Sequence, residues 1–305
     1  MRTIATLLCT ILLMTTGFAQ KAKLSMNLEE GKTYRQITHS VTTLNQDVYG
    51  QKMEILITVE GSMSFLVNTA TKTGYDITAQ YDWMKISMGM PMGQGTMELS
   101  SEDPAENDFI SQFLAEVKLI PFQMKMDRKG KVLEMENVDE KWEAALEKIP
   151  SAQAEQMKSQ MMDAFGEDAR IASIETVTAV FPEKAVKKGA QWTSTTSQKT
   201  GMSFTLSNTY TYEGSEDGLA IISVQSSIET ADKEAWVENS GMTMRHELSG
   251  LASGQIKMDE KSGWTREAIL EQNLEGKTHI KDSEQIPGGI EIPMTIKTKT
   301  KTSDE

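Results

Sequence analysis

Thioether sulfur is the most concentrated reactive group in this chain. Met84, Met88, Met90, Met92 and Met97 crowd one short segment of a sequence that carries 21 methionines. Met84, Met88, Met90 and Met92 share parity, so an extended strand presents all four sulfurs on one face. Soft thioethers suit Cu(I). The same side chains also serve as flexible filler of irregular cores and adaptable ligand surfaces, and Gly89, Pro91, Gly93 and Gly95 loosen the segment towards a loop. Packing or contact with an apolar ligand is the favoured reading, with Cu(I) binding as the minor alternative.

Other chemistries find less support. His39, His246 and His279 are far apart in the sequence, whereas a zinc site needs several converging ligands. Asp127 and Asp259 each open a turn that ends in glycine. A calcium loop, however, places carboxylates at alternate positions, and Arg128 and Lys129 stand there instead. Hairpin turns are the better reading of both stretches. No nucleophile elbow, phosphate loop or His-Glu-x-x-His helix occurs, and the carboxylates are scattered rather than paired. The expectation is therefore a chain that is not an enzyme and has no cofactor.

Composition bounds the setting. Residues 1–19 join a basic start at Arg2, an apolar run from Ile4 to Met14 and small residues ending at Ala19, the pattern of a secretory signal peptide cleaved near Ala19. The single cysteine, Cys9, lies inside that segment, so the mature chain is expected to have no thiol, disulfide or thiolate metal site. The formal net charge of −13 disfavours nucleic acid and anionic headgroups as partners. No later stretch is long and apolar enough for a transmembrane helix. The expected protein is exported, periplasmic or extracellular, and soluble.

The elements that would position any site follow from periodicity. Tyr34–Leu44, Met53–Val59, Ser62–Asn68 and Tyr75–Met88 predict a meander of antiparallel strands. Its clearest alternation runs through Tyr75, Ile77, Ala79, Tyr81 and Trp83. At Asp103 the period changes. Asp103-Pro104-Ala105-Glu106 predicts an N-cap with a capping box, and Ile110, Phe113, Leu114 and Val117 form an apolar helical stripe. Pro121 to Asn137 predicts a hairpin with Phe122, Met124 and Met126 on one side. Two more helices follow, one from Asn137 to Pro150 with Trp142, Ala145, Leu146 and Ile149 on a face, the other from Ser151 to Gly166 with Ala154, Met157, Met161 and Phe165. Asp168 to Val180 is ambiguous and leans towards a short helix leading into Phe181-Pro182.

From Trp192 onward strands resume: Trp192–Ser197, Met202–Tyr212, Leu219–Ile228, Met242–Leu248, Leu251–Met258, Trp264–Leu274 and Ile290–Thr300. Lysines on alternate positions of the last suit a solvent-facing sheet edge. Leu28–Tyr34 resembles Val186–Trp192, and the Lys-Met-Asp turn before Arg128 recurs at Lys257-Met258-Asp259. This order suggests an internal duplication with a helical insert; the alternative is one continuous sheet whose turns look alike. The expected organisation is a signal peptide at 1–19, an N-terminal meander at 20–138, a helical insert at 139–180 and a C-terminal meander at 181–305.

The Met-Asp-Arg-Lys-Gly-Lys-Val turn, the Glu98–Pro104 stretch and Phe181-Pro182 through Gly189-x-x-Trp192 together resemble a family of bacterial secreted proteins that is a domain of unknown function. No site residues come with that resemblance. In layout alone the chain is also similar to periplasmic lipoprotein carriers, whose curved sheet wraps helices around an apolar cavity. The expected fold is β-rich α+β: two curved antiparallel meanders with helices packed on the concave side. The expected role is a non-catalytic binding protein holding an apolar small molecule or lipid, with Met84, Met88, Met90, Met92, Met157, Met161 and Phe165 lining the cavity. The runner-up is a structural module that engages an envelope protein and holds no small ligand.

Overall fold

The computed structural model describes residues 21–89, 95–105, 108–136, 138–147, 166–198, 202–239, 242–283 and 286–305. The expected signal segment at residues 1–19 lies outside them. Strands β1 (Thr33–Val48), β2 (Gln51–Ala70), β3 (Gly74–Gly89), β4 (Thr96–Ser100), β5 (Phe122–Asp127) and β6 (Val132–Met135) come first, with helix α1 (Phe109–Lys118) between β4 and β5. Helices α2 (Val138–Leu146) and α3 (Glu167–Thr178) follow. The chain then runs through β7 (Gln191–Gln198), β8 (Phe204–Glu216), β9 (Leu219–Thr230), β10 (Val237–Asn239), β11 (Met242–Asp259), β12 (Thr265–Ile280) and β13 (Ile290–Ser303).

All these strands belong to one antiparallel sheet in the order β6-β5-β3-β2-β1-β13-β12-β11-β9-β8-β7, with β4 on β3 and β10 on β11. The two meanders are thus one surface, joined where β1 pairs β13 from Ile37↔Ser303 to Gln46↔Met294. This order is a circular meander with its first and last strands paired. It stays open between β6 and β7, where the chain leaves the sheet to form α2 and α3. Helix α3 touches β6, β7 and β12, so it spans the gap from the concave side.

That closure corrects the expectation for the last strand. β13 lies inside the sheet, between β1 and β12, and the edges are β6 and β7. The alternation in β13 is still real. Lys297, Lys299 and Lys301 are exposed on the convex face, where Lys299 pairs with Glu271 at 2.8 Å. Thr298, Thr300 and Thr302 turn to the concave face. The lysines keep the outside of a two-sided strand wet rather than guarding an edge.

Long strands absorbed pieces that looked separate: Met53–Val59 and Ser62–Asn68 both belong to the 20-residue β2, and β11 joins Met242–Leu248 to Leu251–Met258. A bulge corrects the alternation in β3. Tyr75, Ile77 and Ala79 are buried as expected, but pairing steps from Met63↔Tyr81 to Ser62↔Trp83, so Asp82 is the extra residue. Beyond it the faces exchange. Met84 is buried in place of Trp83.

The bulge has a polar cause. Asp82 Oδ2 accepts from Ser62 Oγ at 2.6 Å and from Arg35 Nε at 3.1 Å, and its Oδ1 accepts from Ser64 Oγ at 2.6 Å. Burial alone would raise the Asp82 pKa. The hydroxyls of Ser62 and Ser64 and the Arg35 charge outweigh burial and hold it below the ordinary value. A depressed carboxylate pKa contributes stability that is present above the unfolded value, about 4, and is lost as pH falls through the lower folded value. Asp82→Asn should therefore flatten the acid limb of stability. Urea midpoints of both proteins measured between pH 7 and about pH 3 check this, and parallel curves would contradict it.

The helices also differ in detail from expectation. Asp103 adopts φ +52° and does not start α1. Asp108 does, its Oδ1 accepting from Ser111 N at 3.0 Å. Asp tolerates the left-handed region, so Asp103 serves the loop and the nearer Asp caps the apolar stripe of Phe113, Leu114 and Val117. α2 begins at Val138, with Trp142 buried against Phe113 at a ring distance of 5.6 Å. The expected helix from Ser151 to Gly166 falls largely on residues 148–165, outside the described residues.

The two similar turns serve one purpose. Asp127 Oδ1 accepts from Lys129 N and Lys131 N, and Asp259 Oδ1 accepts from Ser262 N and Lys261 N. Both carboxylates are thus turned onto their own loops, with Gly130 and Gly263 at positive φ. Residues 25–28 bridge the two turns: Met26 N donates to Arg128 O and Asn27 N to Ser262 O. Met26 and Leu28 are buried beneath. This closes one end of the sheet, and the main core fills it: Tyr34, Phe65, Phe122, Met124, Met126 and Trp264 among others. A smaller cluster of Phe204, Ile228, Leu248, Leu274 and Met294 lies towards the opposite end.

Candidate functional site

Between the two clusters the concave face changes character. Along β1 and β13 the inward positions pass from Gln36, Thr38 and Ser40 to Leu44, and from Thr302, Thr300 and Thr298 to Ile296. Ser40 and Thr300 hydroxyls lie 2.9 Å apart, and Thr42 and Thr298 hydroxyls 3.0 Å apart. Across the sheet Ser226 Oγ donates to Asn208 Oδ1 at 2.6 Å, and Asn208 Nδ2 donates to Ser194 Oγ and Thr196 Oγ1, each at 3.3 Å. The middle of the concave face is a band of hydroxyls and amides with aliphatic layers on either side.

A cavity of about 630 Å³ lies over this band, with α3 as its roof. Its size is in the ordinary range for small-molecule sites. Thr38, Ser40, Gln272, Thr298 and Thr300 form part of the floor, with Val59, Leu206, Val224 and Leu270 beside them. Asp168, Ile171, Ala172 and Glu175 come down from α3. A shallower depression of about 720 Å³ lies at the rim around Asn45, Met53, Glu247 and Met294.

Helix α3 works on both sides, which explains why its sequence shows no single apolar stripe. Arg170, Ile174, Val177 and Thr178 are buried, while Ile171, Ala172 and Glu175 line the cavity. Its N-terminus is held from α2, with Glu167 N donating to Asp139 Oδ1 at 3.0 Å. Its last turn is pinned to the sheet. Thr178 Oγ1 donates to Gly130 O at 2.8 Å, and Thr265 Oγ1 donates to Val177 O at 2.7 Å. The Arg170 guanidinium lies 4.2 Å from the Trp142 ring and 4.4 Å from Phe122, with Tyr81 at 5.3 Å. Burial opposes its charge; Tyr81, Asp139 and Glu167 favour it.

The electrostatics of the lining are set by burial. Burial raises the Glu175 carboxyl above its ordinary value, against the opposing effects of the Val132 amide that donates to it at 2.8 Å and of Lys131. The Tyr210 phenol is raised by burial too, with Ser194 opposing. Tyr210 is stacked on Trp192 at 5.7 Å, and Trp192 Nε1 donates to Val180 O at 3.0 Å. Among the described residues of the lining, Gln36 is the one whose buried side-chain donor is left unpaired. It is 7% exposed, and its Nε2 has no hydrogen-bond partner. A buried amide left this way carries a desolvation cost.

The residues expected to line a cavity fall elsewhere or outside the description. Met84 and Met88 do share the concave face of β3. Met84 is buried in the main core, and Met88 pairs with Ile57 and Met97; neither lines the cavity. Met90, Met92, Met157, Met161 and Phe165 lie outside the described residues. His39 meets Glu60 on one strand pair, and His246 meets Thr278 with its pKa lowered by burial. His279 lies between Glu247 and Glu291. Among the described residues no three His, Cys, Asp or Glu side chains form a metal-binding group, and no helix is long and apolar enough to cross a membrane. Gln36, Asn208 and the threonines of β13 went unrecognised in the sequence. The alternation of Thr298, Thr300 and Thr302 with lysine was the available signal, because the residue facing away from the exposed lysine faces in.

No protein of curated function matches the sequence. Among solved structures, the chain is similar to lipovitellin, in a structure concerned with lipid–protein interactions. The TM-score is 0.48 and the identity 10%, over 92% of this chain and 25% of that one. The chain thus spans about a quarter of that protein's length. It is also similar to an outer membrane channel from Pseudomonas putida F1, with TM-score 0.24 and 7% identity over 91% and 97% of the two chains. A family model described as a family of unknown function, DUF6263, matches residues 72–265, more than half of the 305 residues. The chain, with its open meander and roofed cavity, belongs to that family.

Proposed function

We propose that this chain is a non-catalytic binding protein that holds a small ligand in the cavity between the concave face and α3. The observation that carries the reading is the cavity of about 630 Å³, floored by the hydroxyl and amide band with aliphatic side chains beside it and roofed by α3. Hydroxyls, amides and aliphatic side chains suit holding a molecule rather than transforming it. The ligand matches a lining that is aliphatic in part and polar in part, so it is an amphiphile rather than a pure hydrocarbon.

Filling the cavity tests this. Ala252 lies on its floor, while the neighbouring Leu251 is 68% exposed on the other face of β11. N-phenyl-1-naphthylamine, a neutral dye that brightens in apolar surroundings, should bind the wild type. Ala252→Phe should weaken it about tenfold, since an added ring occupies the dye's space and repacking costs on the order of 1–3 kcal/mol. Leu251→Phe should leave it unchanged. Absence of dye binding, or equal effects from the two variants, would sink the reading.

A further inference from the structure

The charge of the ligand can be read from the same cavity, an inference that rests on the ligand-holding reading above. Among the described residues that line it there is no lysine, arginine or histidine; the ionisable groups are Asp168, Glu175 and Tyr210. A carboxylate or phosphate entering here would leave water without meeting a cation, and it would come to rest near two acidic side chains. Burying an unpaired anion is costly under those conditions.

The polar groups that are present suit uncharged oxygen. The hydroxyls of Thr38, Ser40, Thr298 and Thr300 and the amide of Gln272 line it. The Ser40 and Thr300 hydroxyls bond to each other, yet a hydroxyl carries one proton and two lone pairs, so such a pair keeps capacity for a ligand hydroxyl. Beside them Val59, Leu206, Leu270 and Ile171 offer aliphatic surface. We infer that the cavity takes an uncharged amphiphile of the monoacylglycerol kind, its ester and glycerol oxygens on the hydroxyl band and its chain along those aliphatic residues. An ionised fatty-acid carboxylate finds no counter-charge among those described residues.

Displacement of N-phenyl-1-naphthylamine by 1-monodecanoylglycerol and by decanoate, which share a chain length and differ in head group, tests the inference at neutral pH. The neutral ligand should displace the dye at a concentration about tenfold lower or less, because the ionised head group meets no counter-charge. Thr300→Val, which keeps the shape and removes a hydroxyl of the band, should raise the concentration of 1-monodecanoylglycerol required about fivefold, the size of one neutral hydrogen bond. A cooperative urea transition reports that the variant is folded, and the dye affinity measured on the variant itself sets the reference for its displacement. Equal displacement by decanoate, or a Thr300→Val variant with undiminished 1-monodecanoylglycerol affinity, would overturn the inference while leaving the ligand-holding reading intact. A wild type that binds neither the dye nor the lipids would overturn both.

Discussion

Replacing Trp264 with alanine is expected to cost about 3–5 kcal/mol of stability, the range for emptying a large aromatic site in a packed core. Trp264 follows the β11–β12 turn, is 2% exposed, and meets Tyr34 at a ring distance of 5.1 Å and Phe65 at 5.3 Å. Its indole N–H donates to Arg35 O at 2.9 Å. These contacts join β12 to β1 and β2 across the closed end of the sheet. Trp264→Phe keeps most of the packing but leaves the Arg35 carbonyl without that donor, so its cost should be nearer 1–2 kcal/mol. Urea denaturation of the two variants measures both. A Trp264→Ala protein within about 1 kcal/mol of wild type would mean that the closed end is not the stable part of the fold.

The second large effect is expected at Gly130, where two costs combine. Its φ is +77°, and a Cβ there would lie 2.0 Å from Thr178 O, the last turn of α3. Gly189 has a similar φ of +80° with nothing within 4 Å of a Cβ. Gly189→Ala should therefore cost only the left-handed conformation, about 1 kcal/mol. Gly130→Ala adds a collision with backbone and should cost about 3 kcal/mol or more. The relief available to Gly130→Ala is movement of α3 away from the hairpin, and α3 carries Ile171 and Glu175 over the cavity. Dye binding should accordingly weaken in Gly130→Ala and hold in Gly189→Ala. Chemical denaturation and dye titration on the pair separate the two costs; equal losses of stability would remove the docking of α3 on Gly130 as a determinant.

Tight approach of α3 to the β5–β6 turn is also where local and tertiary information part. The turn itself is written locally: Asp127 accepts from amides two and four residues on, and Gly130 supplies the positive φ. Phe122, Met124 and Met126 alternate, and all three are buried. Such features involve neighbours in sequence, so residue type and period are enough to find them. The closeness of Gly130 to Thr178, 48 residues later, leaves no mark of that kind.

By itself the sequence determined the β-rich class, most strand positions, the hairpin turns and the helical interruption between the meanders, since each depends on period-two or helical alternation and on turn residues. Tertiary structure alone decided that β13 pairs with β1, that the open seam lies between β6 and β7, and that α3 covers it. Pairing partners are chosen by the whole sheet: Val41 meets Lys299 across nearly the full length of the chain. The bulge at Asp82 shows the same division, because one extra residue held by Ser62, Ser64 and Arg35 reverses which of Trp83 and Met84 is buried. The methionines that first suggested chemistry are in part core, as far as the described residues extend. The cavity instead gathers Gln36, Ser40, Asn208 and Thr300, ordinary residues that only a curved sheet brings to one side.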